Sequence, residues 1–161
     1  MKNTYRIIVF LFLVLTAGFT SYAQDDKYST IKEQETSFQF INIPKSLTDK
    51  VNSFFDELKQ NSIKSAYEKL LASSPLRHKD EQVNILIEQT KKAIVLYGNT
   101  FGCEAVSSET ASPSLIRLRY LGLNATFPMR WIFTFYNSPQ NGWVVVNVKI
   151  DDMCEYFFSD D

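Results

Sequence analysis

The groups in this chain that could do chemistry are few, and their spacing gives them little to work with. His78 is the only histidine. In a serine or cysteine triad it would have to be the base. It stands instead in the polar run Arg77-His78-Lys79-Asp80, where neighbouring cations disfavour its protonation, so a surface loop histidine is expected. With only two distant cysteines as companions it makes no zinc set, because such sites gather three or four ligands at close spacing. Cys103 and Cys154 allow two readings. Paired, they would close a loop of about 50 residues and stabilise the fold by roughly 4 kcal/mol in the chain-entropy model. Unpaired, they are two separate half-buried thiols. Asp151, Asp152, Glu155, Asp160 and Asp161 give the C-terminal end five acids and no base. They lack the ligand spacing of a calcium loop and read as a solvated acidic tail. A phosphate-binding glycine loop, GxSxG and CxxC are all missing, so no catalytic residue, metal ligand or cofactor site is expected. Asn124-Ala125-Thr126 is a glycosylation sequon, which matters only in a eukaryotic secretory pathway.

The chain opens with MKNTYR, two cations ahead of the apolar run from Ile7 to Leu15, and then the small-residue stretch Ser21-Tyr22-Ala23. Residues 1–23 thus have the layout of a secretory signal peptide cut after Ala23. The competing reading is an uncleaved anchor, but a spanning helix needs about 20 apolar residues and this run is shorter. No cysteine follows the small residues, which argues against a lipid-anchored lipoprotein. The expected product is periplasmic or secreted, free of the membrane after cleavage, in a compartment that permits a disulfide. Lys2 and Arg6 leave with the leader, moving the formal net charge from −1 to −3. That balance gives no support to nucleic-acid binding, which normally wants a basic domain.

The remaining residues suit a single domain. Residues 24–45 read as a flexible or extended segment, with the alternating TSFQFINI as a candidate edge strand or clamp. Residues 46–152 form the domain. Ser46 looks like an N-cap with Asp49 at the third helical position, followed by the apolar stripe Leu47, Val51, Phe54, Phe55 and Leu58. A second helix carries Ile63, Ala66, Tyr67, Leu70 and Leu71 before Pro75 stops it, and a third runs from Val83 to Tyr97 and ends at Gly98. The pattern then changes to period 2. Phe101 to Ser107, Leu115 to Leu123, Met129 to Tyr136 and Trp143 to Asp151 read as four strands, separated by SETASPS, NATFP and NSPQNG. Links this short join antiparallel neighbours. The class is therefore α+β, two to three N-terminal helices packed on one face of a four-stranded antiparallel sheet. Residues 153–161 form the acidic tail, within which Cys154, Tyr156, Phe157 and Phe158 are too apolar to hang free. They are expected to fold back over the sheet edge or a helix and bring Cys154 towards Cys103.

Alternation divides each strand between two faces. Ile116, Leu118, Tyr120, Met129, Trp131, Phe133, Phe135, Val144, Val146, Val148 and Ile150 form the apolar set that should meet the helices. The opposite set mixes Arg117, Arg119, Arg130 and Lys149 with Tyr136, Trp143, Ile132 and Val145, beside Glu104 and Asp151. Aromatic residues and arginine are what protein interfaces favour, so Arg117, Arg119, Arg130, Tyr136, Trp143 and Lys149 are candidates for a partner surface. The competing reading is a solvated face with weak cross-strand ion pairs.

The order of elements, the helical AYEKLLASSP, the Tyr97-Gly98 turn into the first strand and the ending PMRWIFTFY…GWVVVNVKIDD together resemble the NTF2-like superfamily, a cone of curved sheet wrapped on helices. Within it the chain is most similar to small exported bacterial members that have no assigned activity. The resemblance covers roughly Ser46 to Asp152 and rests on pattern. It implies an outer sheet face that often mediates dimerisation. Members that isomerise or dehydrate small molecules use an Asp, or an Asp with a His, inside the cone, and a tyrosine to hold the developing oxyanion. Here the core-facing pattern holds no carboxylate, and Tyr67, Tyr97 and Tyr120 are left as residues that could line a ligand pocket or simply belong to the core. The expectation is an exported, non-catalytic domain binding a small apolar molecule or a protein partner, itself included. The alternatives are a cofactor-free isomerase or lyase using a pocket tyrosine, and a structural envelope accessory protein.

Overall fold

The structure, a computed structural model, describes residues 42–158. The expected signal peptide, the segment 24–41 and residues 159–161 lie outside that range. Three α-helices, α1 (Lys45–Lys59), α2 (Ile63–Leu70) and α3 (Asp80–Tyr97), precede four strands, β1 (Thr100–Ser112), β2 (Leu115–Asn124), β3 (Met129–Ser138) and β4 (Gly142–Asp151). The strands pair in chain order as an antiparallel meander, with the helices against one face of the curved sheet. Short 3-10 turns follow α2 (Pro75–His78) and β4 (Cys154–Phe157).

Helix α1 buries Leu47, Val51, Phe54, Phe55 and Leu58, the stripe expected from spacing. Its start differs from expectation. The Pro44 carbonyl accepts the Leu47 N–H at 2.9 Å, so the helix begins at Lys45 and Ser46 falls inside the first turn instead of capping it. Asp49 pairs with Lys45 Nζ at 2.6 Å. Beyond the end of the helix Asn61 takes a left-handed conformation, with φ 56°. The Asn61 N–H reaches Leu58 O and the Ser62 N–H reaches Glu57 O, the paired bonds of a Schellman motif with asparagine in the place glycine usually takes. The Lys69–Glu57 ion pair ties α2 back to α1. Helix α3 ends at Gly98, whose φ of 83° suits glycine, and whose missing side chain matters too, since a Cβ there would stand 2.5 Å from the Ala125 Cβ.

The core is aromatic. Phe54 lies 5.2 Å from both Tyr67 and Trp131 in edge-on contacts, and Phe55, Tyr120 and Phe133 complete the cluster. Ile116, Leu118, Met129, Phe135 and Val148 are buried as expected, and Ile150 packs against them half-buried.

Strand β4 departs from simple alternation. Thr134 pairs with Asn147 but Phe135 pairs with Val145, so Val146 is an extra residue that bulges the strand. Before the bulge the face assignment inverts. Val145 joins the core cluster, fully buried, and Trp143 packs half-buried against it. Val144 is buried opposite Tyr136 but outside the cluster. Trp143 and Val145 therefore leave the outer set to which alternation assigned them. Strand β1 is also longer than expected, because Ser108–Ser112 continue the ladder with Leu115–Leu118 and only Pro113 and Ser114 turn.

Candidate functional site

His78 closes the first 3-10 turn and is exposed. The two cysteines are unpaired. Cys103 faces the core row of Gly122 and Met129, and burial pushes its thiol up to about 12, against a smaller opposing pull from Lys59. Cys154 folds back as expected but against Pro128, whose carbonyl accepts its thiol at 3.4 Å. Burial, reinforced by Asp151 and Glu155, raises that thiol as well. Of the two readings of these residues, separate half-buried thiols is the one observed, and neither is poised as a thiolate nucleophile.

The three tyrosines are not brought to one pocket. Tyr67 is fully buried, its hydroxyl 2.9 Å from Thr90 Oγ1, and desolvation drives its ionisation far upward. Tyr120 is buried beside Phe55 and Phe133, and desolvation again raises its pKa. Tyr97 sits at the surface end of α3 and donates to Asp152 Oδ2 at 2.6 Å. Among the described residues no group of three or more His, Cys, Asp or Glu could hold a metal. Trp131 Nε1 is buried without a hydrogen-bond partner. It lies 2.7 Å from where a side chain at position 122 would begin, so the indole fills the space that Gly122 leaves open.

The cations of the outer sheet face are ion-paired within the chain, two to each of two carboxylates. Arg117 and Arg119 converge on Glu109 at 3.3 and 2.9 Å. Arg130 donates twice to Asp151, from Nε at 2.8 Å and Nη2 at 2.9 Å, and Lys149 reaches the same carboxylate at 3.2 Å. The Arg130 guanidinium also lies 5.0 Å from the centre of the Tyr156 ring, and the residue is only 8% exposed. Burial pushes the Asp151 carboxyl up, but bonds from Arg130, the Met153 N–H and Lys149 outweigh it and hold the group below its ordinary value. Of the candidates on this face, Tyr136 stays partly exposed beside Leu115.

A different surface stands out at the end of the sheet where β1 and β3 begin and β2 and β4 finish. Of ten large apolar side chains exposed among the described residues, seven are here. Val95 and Leu96 come from the last turn of α3, Phe101 from the start of β1, Phe127 from the β2–β3 turn, and Met153, Tyr156 and Phe158 from beyond β4. Phe101 is the extra residue between the Thr100 and Gly102 pairings, a bulge position, and is 68% exposed. Phe127 is set by its ring contact with Tyr97 at 5.3 Å, and Thr126 bonds the Tyr97 carbonyl through both its N–H and its hydroxyl. Sequence reasoning marked the aromatic C-terminus but missed Phe101 and Phe127. Phe127 inside the turn NATFP was the available signal, since a large aromatic in a turn has no core to enter.

No protein-family model, curated protein or solved structure matches this chain. Functional inference therefore rests on the fold and on these surfaces.

Proposed function

We propose that this chain is an exported, non-catalytic binding domain of NTF2-like form that engages a protein partner or a small apolar ligand through the apolar end of its sheet. The observation that carries this reading is the gathering of exposed aromatic and aliphatic side chains at that one end. Large apolar side chains left exposed at one end of a folded domain are the kind of surface that binding sites use. Three helices on a curved antiparallel sheet agree with the NTF2-like form, and the leader-like residues 1–23 support export. The lyase-type alternative is weakened by the burial of Tyr67 and Tyr120 within the packed core, where the Tyr67 hydroxyl is already held by Thr90. The test compares the wild-type chain with Phe101→Ser plus Phe127→Ser. Loss of fluorescence from an apolar dye, or of concentration-dependent self-association, with an unchanged melting curve is the expected result. Dye binding and association that both survive the double substitution would refute this placement of the site.

A further inference from the structure

Resting on that binding reading, we infer that the occupant of the apolar end is a cationic amphipathic segment of a partner protein, with lysine or arginine flanking large apolar side chains. The apolar half of the match is held ready. Phe127 is fixed against Tyr97, and the β1 bulge turns Phe101 outward. Side chains ordered before binding lose less entropy on association.

The charged half comes from what surrounds them. Asp152 and Glu155 are exposed within the same C-terminal segment as Met153, Tyr156 and Phe158, and Glu104 is exposed on β1 nearby. From Asp151 to Phe158 the chain carries three acids and no base. Of the cations around it, Arg130 is engaged by Asp151 and the Tyr156 ring and Lys149 by the same carboxylate, while Lys92 stands one turn before Leu96 on α3. The C-terminal side of this end therefore presents the exposed carboxylates of Asp152 and Glu155 among aromatic rings, a setting that attracts cations.

Two other occupants fit less well. An anionic membrane surface would be repelled by these acids. A second copy joined by a two-fold contact would set the same acids against one another.

The test uses the chain as purified from an exporting host, with two labelled probe peptides that share their leucines, one built with lysine and the other with glutamate. Fluorescence anisotropy should show the lysine peptide binding, with affinity falling as salt is raised. Glu155→Lys should weaken it about tenfold, and Phe127→Ser by a similar factor. Glu68→Lys on α2 makes the same change in net charge at an exposed site elsewhere, and should leave binding within about twofold. Equal weakening by Glu68→Lys would show a net-charge effect only and overturn the inference. Equal or tighter binding of the glutamate peptide would overturn the choice of partner while leaving the binding reading intact. Binding of neither peptide, by a chain whose dye binding and self-association ignore Phe101→Ser plus Phe127→Ser, would end both.

Discussion

The two faces of one sheet hold themselves together by different physics, although both are built from alternate residues of the same strands. On the helix side, Trp131 and Phe133 of β3 interlock with Phe54 and Phe55 of α1, and Phe135 is buried in the same cluster. On the other side, Arg117 and Arg119 share Glu109, and Arg130 and Lys149 share Asp151. The inner face works by removing area from water and tolerates no loss of volume. The outer face works by ion pairing, and its contribution depends on how far each pair is shielded from solvent. Arg130–Asp151, covered by the C-terminal turn, belongs energetically nearer to the inner face than to its outer-face neighbours.

The largest effect expected from this contrast is at Phe133, whose replacement by alanine should cost about 3–5 kcal/mol. A urea melt showing a loss under about 1 kcal/mol would remove Phe133 from the core. Next comes Arg130→Ala, which leaves the Asp151 carboxylate half-buried with only Lys149 and the Met153 N–H as partners and should cost about 2–3 kcal/mol. This pair also sets a pH dependence. Because the folded pKa of Asp151 is depressed, its contribution is fully present above the unfolded value of about 3.9 and is lost as pH falls through the folded value. Acid should therefore destabilise the wild type more than Asp151→Asn, and equal slopes below pH ~4 would show the pair to be energetically idle.

Gly122→Ala brings a Cβ to 2.7 Å from Trp131 Nε1 and 2.9 Å from its Cδ1. The indole is locked among Phe54 and Phe55, so a cost of about 1–3 kcal/mol is expected, with a change in tryptophan fluorescence. A neutral substitution would mean that the indole can move. Smallest of all is Glu109→Gln, which removes two exposed ion pairs and should shift the melt by about 1 kcal/mol or less. A larger shift would show the outer face to be a cooperative network.

The element order, the α1 stripe, the stop at Gly98 and the β3 core residues were legible because each depends on local periodicity or on a residue with a special backbone preference. The phase of β4 was not. Val144, Val145 and Val146 are identical, so their sequence carries no mark of which points inward. The bulge at Val146 is set by pairing with β3, and it carried Trp143 from the expected partner surface to the core. The end of β1 was hidden for a related reason. SETAS has the composition of a turn, yet it continues the strand opposite β2, where Glu109 meets Arg117 and Arg119.

By itself the sequence determined the class of this protein, helices followed by an antiparallel meander, and the poverty of its catalytic inventory, because both follow from residue type and spacing along the chain. Tertiary structure alone decided the fate of individual groups. It separated Cys103 from Cys154, sent Tyr97 to Asp152, enclosed Arg130 beneath Tyr156, and gathered Phe101, Phe127 and the C-terminal aromatics at one end. The reason is that each of these contacts joins residues far apart in sequence, and only the pairing of strands and the docking of α3 bring them within reach.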